Sequence, residues 1–464
     1  RYTADRPLHR LRLLEPSVGA GDFLLRALDR LLESYAEHGG APDDATLGDL
    51  GPALLGVELH PHSLARARQA VRARLVAWGA SDRLADALCD AWLRADDFLL
   101  AALDGPFDVV VGNPPYLRQE RIPAPLLAEY RRRYRTIYDR ADLYVPFFER
   151  GLDLLGSDGR LAFICANRWM KNRYGRPLRA LIDASFHVEH AIDMEGTDAF
   201  QSAVMAYTAI TVIRRGRAGP TRIARRPAID GGSLARLAAA MVSDAPTSDP
   251  RVSVIDDTAT GGAPWLLEAR APLALLRRLE RELPSVEEAG LKIGIGVASG
   301  ADRIFVGEYA SLPVEEARKV PLVMAADLVD GELRWGGRGI INPFEADGSL
   351  APLDRYPRFA AHLRAHQAPL AARHVARRSG LAAWYRTIDR IHAGLTSTPK
   401  LLLPDIKGEA MVVHDPGGYY PHHNLYFVIV DPVADPADAW DLRALATLLR
   451  SSVAVLFVAA YCVK

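Results

Sequence analysis

Along the first two hundred residues, short apolar runs alternate with stretches whose apolar positions recur at helical spacing. "LRLLEP" reads as a strand, and a helix follows from Asp22. "ALLGVEL" is the next strand and "PHSLARARQAVRARLVAWGA" the next helix. "FDVVVGN" is a third strand, "LYVPFFERGLDLL" a helix, "GRLAFICAN" a fourth strand and "GRPLRALIDA" a helix again. "VEHAIDM" and "AYTAITVIRR" close the series as strands. This alternation predicts an α/β fold, a doubly wound and mostly parallel sheet with helices on both faces. Ligands of such sheets sit outside the carboxyl ends of the strands.

From about Arg214 the pattern changes. "RRGRAGPTRIARRPAIDGG" and "SDAPTSDPRVSVIDDTATGGAP" are rich in glycine, proline and polar residues, which predicts a connecting region with short strands. "LEARAPLALLRRLEREL" is then a helix. The expected division is a first domain over 1–215, a connecting region over 216–290 and a mixed α+β domain over 291–464. No internal repeat is visible. The final stretch "SSVAVLFVAAYCVK" is apolar but too short to span a bilayer, and is expected to be a buried helix or strand.

Composition changes this picture little. With 464 residues, 49% apolar and 25% charged, the chain has ordinary globular character and room for two or three cores. Its formal charge is zero, so no global field pulls it toward nucleic acid and local patches matter more. Cys89, Cys165 and Cys462 lie far apart, without metal-ligand spacing or a disulfide framework, which predicts a reducing, cytoplasmic setting. No apolar run reaches transmembrane length, so no membrane partner is expected. The chain opens on Arg1 rather than Met and closes on Lys464 directly after an apolar run, so both ends are expected to be cut.

Candidate chemistry sits at the strand ends. In "LLEPSVGAGDF", Glu15 ends a strand, Gly19 and Gly21 make a tight turn, and Asp22 and Phe23 open a helix. The third glycine of a dinucleotide-binding turn is missing, and alone this segment reads equally well as a plain strand–helix turn. Glu58 ends the second strand, where an acid can bind two ribose hydroxyls. It lies farther from the turn than the usual ~20 residues, with the polar "AEHGGAPDDATLG" as a local extension. In "RADDFLL", Asp96 or Asp97 can accept from an adenine amino group while Phe98 lies on the ring, although each aspartate also suits a plain turn. Three acids in order, with the glycine turn, argue together for a nucleoside-bearing cofactor. In "FDVVVGNPPYLRQE" a strand stops on Asn113, Pro114, Pro115 and Tyr116. Neither proline can donate a ladder hydrogen bond, so the strand breaks there.

Over Leu11 to Arg214 these segments, with "GRLAFICANRWM", resemble in order the S-adenosylmethionine-dependent DNA adenine-N6 methyltransferases of γ motif order, the Taq-type enzymes and related Eco-type restriction-modification methylases. The resemblance implies S-adenosyl-L-methionine as cofactor. Glu15, Pro16, Ser17, Gly19, Gly21 and Phe23 would surround its methionine part and sulfonium, with Asn113 nearby. Glu58 would hold the ribose, and Asp97 with Phe98 the adenine. The family carries a further cofactor-contacting segment before the glycine turn. Only ten residues precede Leu11 and none fits it, so that segment is expected to be missing.

Adenine's exocyclic amine is a poor nucleophile because its lone pair is delocalised. The Asn113 side-chain oxygen and the Pro114 carbonyl can each accept one of its protons and favour a tetrahedral nitrogen, with Pro115 fixing the kink; this is positioning and electrostatics. No Pro-Cys pair is present, as a cytosine-C5 enzyme would need. Tyr116 would stack on a base turned out of the duplex. Phe200 occupies the place where Taq-type enzymes carry a second aromatic residue, and otherwise belongs to the core.

Double-stranded DNA is the expected partner, with other subunits of a restriction-modification or phage-defence system. Between Arg118 and Arg140 there are seven arginines against three acids, and "YRRRYR" with Arg131, Arg132 and Arg133 mixes cations with rings; a solvated helix face is the plainer alternative. "LKIGIGVASGADRIFVG" resembles the strand pair that opens the target-recognition domain of these methylases. Between Ala361 and Ala410 eight lysines and arginines face three acids, which makes Arg377, Arg378, Arg386, Arg390, Lys400 and Lys407 candidate DNA contacts. His422, His423 and Asn424 lack partnering Cys/His spacing, so no metal is expected there, and a loop-fixing or DNA-touching role is. No convincing nuclease motif is visible, so the chain reads as modification without cutting. Two alternatives stay open: an N-P-P-Y methyltransferase acting on RNA or protein glutamine, and a DNA-binding scaffold subunit whose methylase fold senses the cofactor.

Overall fold

The computed structural model describes residues 6–194, 197, 208–217, 219–243, 251–255, 261–268, 270–392, 394–404, 411–433 and 440–461. The chain divides into two compact units after Leu275.

The first unit is built on a nine-stranded sheet. Its strands are β1 (Leu13–Glu15), β2 (Leu54–Glu58), β3 (Leu93–Ala95), β4 (Phe107–Gly112), β5 (Leu155–Ala166), β6 (Phe186–Asp193), β7 (Thr208–Arg215), β8 (Thr221–Arg225) and β9 (Val252–Ile255). They lie in the order β3-β2-β1-β4-β5-β7-β6-β8-β9. The first five are mutually parallel, and β7 enters antiparallel between β5 and β6. The predicted doubly wound sheet is therefore present. β3 is only three residues long, too short to show a pattern, which is why the sequence reading passed over it. The segment expected to connect the domains instead extends the sheet: β8 pairs parallel with β6, and β9 antiparallel with β8.

Helices cover both faces for reasons visible in their sequences. Asp22–Glu37 buries Leu24, Leu28, Leu31, Leu32 and Tyr35, a single stripe at helical spacing. Pro61–Trp78 starts on proline, where the missing N–H is harmless, and stops at Gly79 in the left-handed region. Asp82–Trp92 is capped by Ser81, whose hydroxyl accepts from the Leu84 amide. These three helices pack on one core with Leu54 and Val18. On the opposite face, Tyr144–Asp153 and Arg176–Ser185 pack with Leu14, Val110, Leu161 and Phe163.

The second unit holds two four-stranded sheets. In one, Leu291–Ile295, Leu425–Val430, Lys400–Pro404 and Val413–Asp415 run antiparallel. In the other, Val306–Glu308, Arg338–Ile341, Lys319–Val323 and Tyr420–Pro421 lie side by side. The expected strand pair in "LKIGIGVASGADRIFVG" is not formed: its two strands belong to different sheets. The cause is local. At Gly296 an added Cβ would meet the His422 carbonyl oxygen at 2.2 Å, so the backbones nearly touch. The chain then turns at Gly300 and enters the short helix Asp302–Phe305, which carries it to the other sheet. The terminal apolar stretch is a helix, Ser452–Tyr461, but it is largely half-exposed, with Ala460 buried. An isolated helix that is apolar all round can bury only the side turned to its own unit. Among the described residues no single helix is long and apolar enough to cross a membrane.

Lys400, an expected DNA contact, is fully buried. Its Nζ donates to Asp415 Oδ2 at 2.7 Å, the Thr398 carbonyl at 2.8 Å and the Thr396 carbonyl at 3.4 Å. All three ammonium protons thus find acceptors, and Asp415 Oδ1 accepts from the Gly417 amide. Burial lowers the Lys400 pKa, and Asp415 opposes that shift. Lys400 is a structural cation inside the second unit. Removing one partner leaves the other charge buried and alone, so Asp415→Ala is expected to destabilise that unit by about 3–5 kcal/mol. The double change Lys400→Met with Asp415→Leu should cost much less. Urea unfolding of the wild type and the two variants checks this, and a double variant as destabilised as Asp415→Ala would refute it.

Candidate active site

The strand order reverses between β1 and β4: the chain leaves β1 toward β2 and β3, and leaves β4 toward β5. Connections diverge at such a point and leave a crevice beyond the carboxyl ends. Glu15 ends β1 there, only 1% exposed, and its Oε2 has no hydrogen-bond partner among the described residues. Burial raises its pKa to about 9; Asp22 and Glu58 push the same way, while the Leu24 amide opposes. Gly19 and Gly21 follow at φ 58° and 97°, left-handed angles that glycine adopts without strain. An added Cβ at Gly19 would meet nothing within 4 Å, so the turn faces open space. Phe23 is exposed on the first turn of the following helix.

Glu58 fastens this turn to the end of β2. Its Oε2 accepts from the Gly19 amide and its Oε1 from the His60 amide, both at 2.8 Å. Each oxygen keeps a second lone pair. The next residue, Leu59, is 57% exposed. The sequence reading missed it; the available signal was an apolar residue directly after a strand-end acid.

Each Asp97 oxygen accepts one hydrogen bond and, like those of Glu58, keeps a second lone pair. Oδ1 accepts from the Leu99 amide at 2.9 Å, and Oδ2 from the Tyr130 hydroxyl. Asp96 pairs with Arg94 instead. Phe98 corrects its expected role. It is 2% exposed, its ring lies 4.9 Å from that of Phe147, and the Arg150 guanidinium covers it. A ring closed on these sides is a core residue with no free face for a ligand.

Across the crevice, the Ser17 hydroxyl donates to the Asn113 carbonyl at 3.0 Å and ties the two strand-end loops together. Pro16 lies against Gly112, where an added Cβ would meet it at 3.4 Å. Asn113 is exposed and Pro114 buried. Among the described residues, neither the Asn113 side-chain amide nor the Pro114 carbonyl has a hydrogen-bond partner. Tyr116 is 41% exposed, with its hydroxyl 3.5 Å from the Ile164 carbonyl; desolvation pushes that hydroxyl's pKa up. Its ring lies 6.1 Å from Tyr144, which in turn shares a hydrogen bond with Tyr174 at 2.9 Å. A tyrosine floor thus holds Tyr116 while part of its ring stays open. Phe200 lies outside the described residues.

The expected DNA contacts fare unevenly. Arg132 and Arg133 both bind Glu129, holding that carboxyl down at about 2, and Arg131 donates to Gln119 at 2.7 Å. Tyr130 and Tyr134 of the same stretch are buried, so its rings serve the core. Arg386 and Arg390 are half-buried, and Lys407 lies outside the described residues. Arg377 and Arg378 are exposed on a short helix and form no ion pair among the described residues.

Residues 74–200 match the Eco57I restriction-modification methylase family. The chain is 51% identical to the Type II methyltransferase M.PaeR7I of Pseudomonas aeruginosa over all of its own length and 79% of that protein's. It is 50% identical to the Type II methyltransferase M.XhoI of Xanthomonas vasicola, covering 99% and 83% of the two chains. The chain belongs to the Type II restriction-modification methyltransferases. M.BstVI of Geobacillus stearothermophilus is a further relative, 37% identical across the whole chain and 83% of its own. The fold is similar to that of the Type IIL restriction-modification enzyme MmeI in complex with DNA, with TM-score 0.61 and 14% identity over 95% of this chain and 58% of that one. A Type II methyltransferase takes its methyl group from S-adenosylmethionine and acts on DNA. The crevice fits that cofactor: the unpartnered buried oxygen of Glu15 suits its ammonium, and the open glycine turn admits its chain.

Proposed function

We propose that this methyltransferase acts on the exocyclic N6 of adenine turned out of double-stranded DNA, within a restriction-modification or phage-defence system. One observation carries the reading. Two acceptors with no partner among the described residues, the Asn113 amide oxygen and the Pro114 carbonyl, stand at the end of β4 beside a half-open Tyr116 ring. An amine with two protons matches two acceptors. S-adenosylmethionine supplies an electrophilic methyl group. Glu15 holds its ammonium, Glu58 its ribose through the spare lone pairs, and exposed Leu59 offers an apolar surface for its adenine. Asn113 and Pro114 accept the two amine protons, which favours a tetrahedral nitrogen with its lone pair out of conjugation, and they orient that nitrogen. Tyr116 stacks on the extruded base and returns ~1–3 kcal/mol against the cost of leaving the duplex. Cys89 and Cys165 are buried with their thiols pushed up, Cys89 to about 11, which leaves them unsuited to nucleophilic attack. The second unit then serves target recognition, with Arg377 and Arg378 on phosphates.

Tritiated methyl transfer to duplex DNA, followed by nucleoside chromatography, tests the reading. Label in N6-methyladenine is expected. Label in cytosine, or only in RNA or protein, would overturn it. Asn113→Ala should lower transfer at least ~10²–10³-fold with cofactor affinity retained. Glu15 makes a separate prediction. With a pKa of about 9 it is protonated at pH 7, and it ionises when an ammonium arrives. Cofactor uptake at pH 7 should therefore release about one proton, a release that fades as pH rises past that value. Calorimetry in two buffers of different ionisation enthalpy measures it. Glu15→Gln should abolish the release, and a wild-type protein that releases none refutes the Glu15 assignment.

A further inference from the structure

In the second unit, the turn after Leu291–Ile295 and the segment after Tyr420–Pro421 are stitched together by backbone. Val297 donates to the Pro421 carbonyl at 2.9 Å, and His423 donates to the Val297 carbonyl at 3.0 Å. This lattice brings three side chains to one place. His422 Nε2 lies 3.2 Å from Asp302 Oδ2 and 3.1 Å from His423 Nδ1. All three ligand atoms lie within 4.8 Å of one another.

The hydrogen bonds behind these atoms decide what they present. His422 is buried, and its Nδ1 faces the Asn424 side-chain oxygen at 3.1 Å. That oxygen only accepts, so Nδ1 carries a proton and Nε2 is the atom whose lone pair can bind a ligand. The lone pair points at a carboxylate oxygen and a second imidazole nitrogen. Asp302 is held from behind as well, its Oδ1 accepting from the Ser299 hydroxyl. Ligands aimed by hydrogen bonds on their far sides are the usual outer support of a metal ion. A hydrogen bond from His423 Nδ1 to the His422 Nε2 lone pair would still leave the Asp302 contact without a proton, whereas a cation serves all three groups. The separations of 3.1 and 3.2 Å approach the edge of about 3.3 Å expected for a tetrahedron with bonds of ~2.0–2.1 Å.

We propose that Asp302, His422 and His423 form a binding site for a divalent transition-metal ion, with zinc the best fit. Two imidazoles and one carboxylate suit zinc, while calcium and magnesium prefer oxygen throughout. Asp302 and His423 are exposed, so the ion enters from solvent and a fourth position stays open to water. No metal-ligand spacing surrounds His422 in the chain, because Asp302 lies 120 residues earlier and joins the histidines only in the fold. A bound ion would clamp the 421–424 segment to the 299–302 turn and stabilise the second unit by mass action.

The test uses the full chain, stripped with chelator, dialysed against micromolar zinc sulfate and measured by atomic absorption and thermal unfolding. One zinc per chain and a raised unfolding midpoint are expected. His423→Ala and Asp302→Asn, both at exposed positions, should lose the zinc and the shift while keeping the far-ultraviolet spectrum of the parent. Asn424→Ala should weaken zinc binding ~10–100-fold by freeing the His422 ring. Wild-type protein that retains no zinc, or variants that retain it undiminished, would overturn the proposal.

Discussion

The reversal of strand order between β1 and β4 is the constraint on which the first unit turns. Neighbouring parallel strands normally send their connections the same way round the sheet. Here the connections part, and the strand ends face a gap instead of a covering helix. The Ser17–Asn113 hydrogen bond spans that gap between two loops. Glu15, the glycine turn, Glu58 and the Asn113–Tyr116 segment all stand at the carboxyl ends of three neighbouring parallel strands, β2, β1 and β4. Glu58 adds rigidity, since its carboxylate grips the glycine turn and the start of the next helix together.

Buried charge separates scaffold from site in this molecule. Lys400 and Asp415 are both fully buried, and every ammonium proton has an acceptor, so the pair completes itself. Glu15 is as deeply buried but keeps one oxygen without a partner among the described residues, and burial, with Asp22 and Glu58 nearby, raises its pKa to about 9. A self-satisfied ion pair explains itself through packing and hydrogen bonding. An orphaned carboxyl oxygen costs stability unless a ligand meets it. The same reasoning discounts the arginine run: Arg132 and Arg133 spend their charge on Glu129, whereas Arg377 and Arg378 form no ion pair among the described residues.

What was legible in the sequence was local. Helices announced themselves by spacing and caps, and the site residues by their place at strand ends, so Glu15, Glu58 and Asn113 to Tyr116 fall where the pattern put them. What depends on distant partners was hidden. Phe98 looked like a free ring beside an acid until Phe147 and Arg150 closed over it. Lys400 looked like a surface cation until Asp415 paired with it across two strands. The strands in "LKIGIGVASGADRIFVG" looked like a pair until Gly296 ran against the His422 backbone and the chain changed sheets. In each case a residue type allowed two environments, and a contact far along the chain chose between them.

That division bears on how the proposed chemistry is shared between the units. Two acceptors and one ring at the end of β4 define a requirement for a flat group carrying an amine with two protons. Adenine, cytosine and guanine in DNA all carry such an amine, and so does a glutamine side chain. The acceptors set the reaction, and the choice of target must come from surfaces that hold the substrate elsewhere. In the proposed reading that surface belongs to the second unit, which has its own cores and exposed arginines. Its strands meet where Gly296 and Val297 run beside His422, so the rigidity of that junction governs how exactly placed its contacts can be. A clamp there would fix the geometry of recognition without touching the reacting atoms.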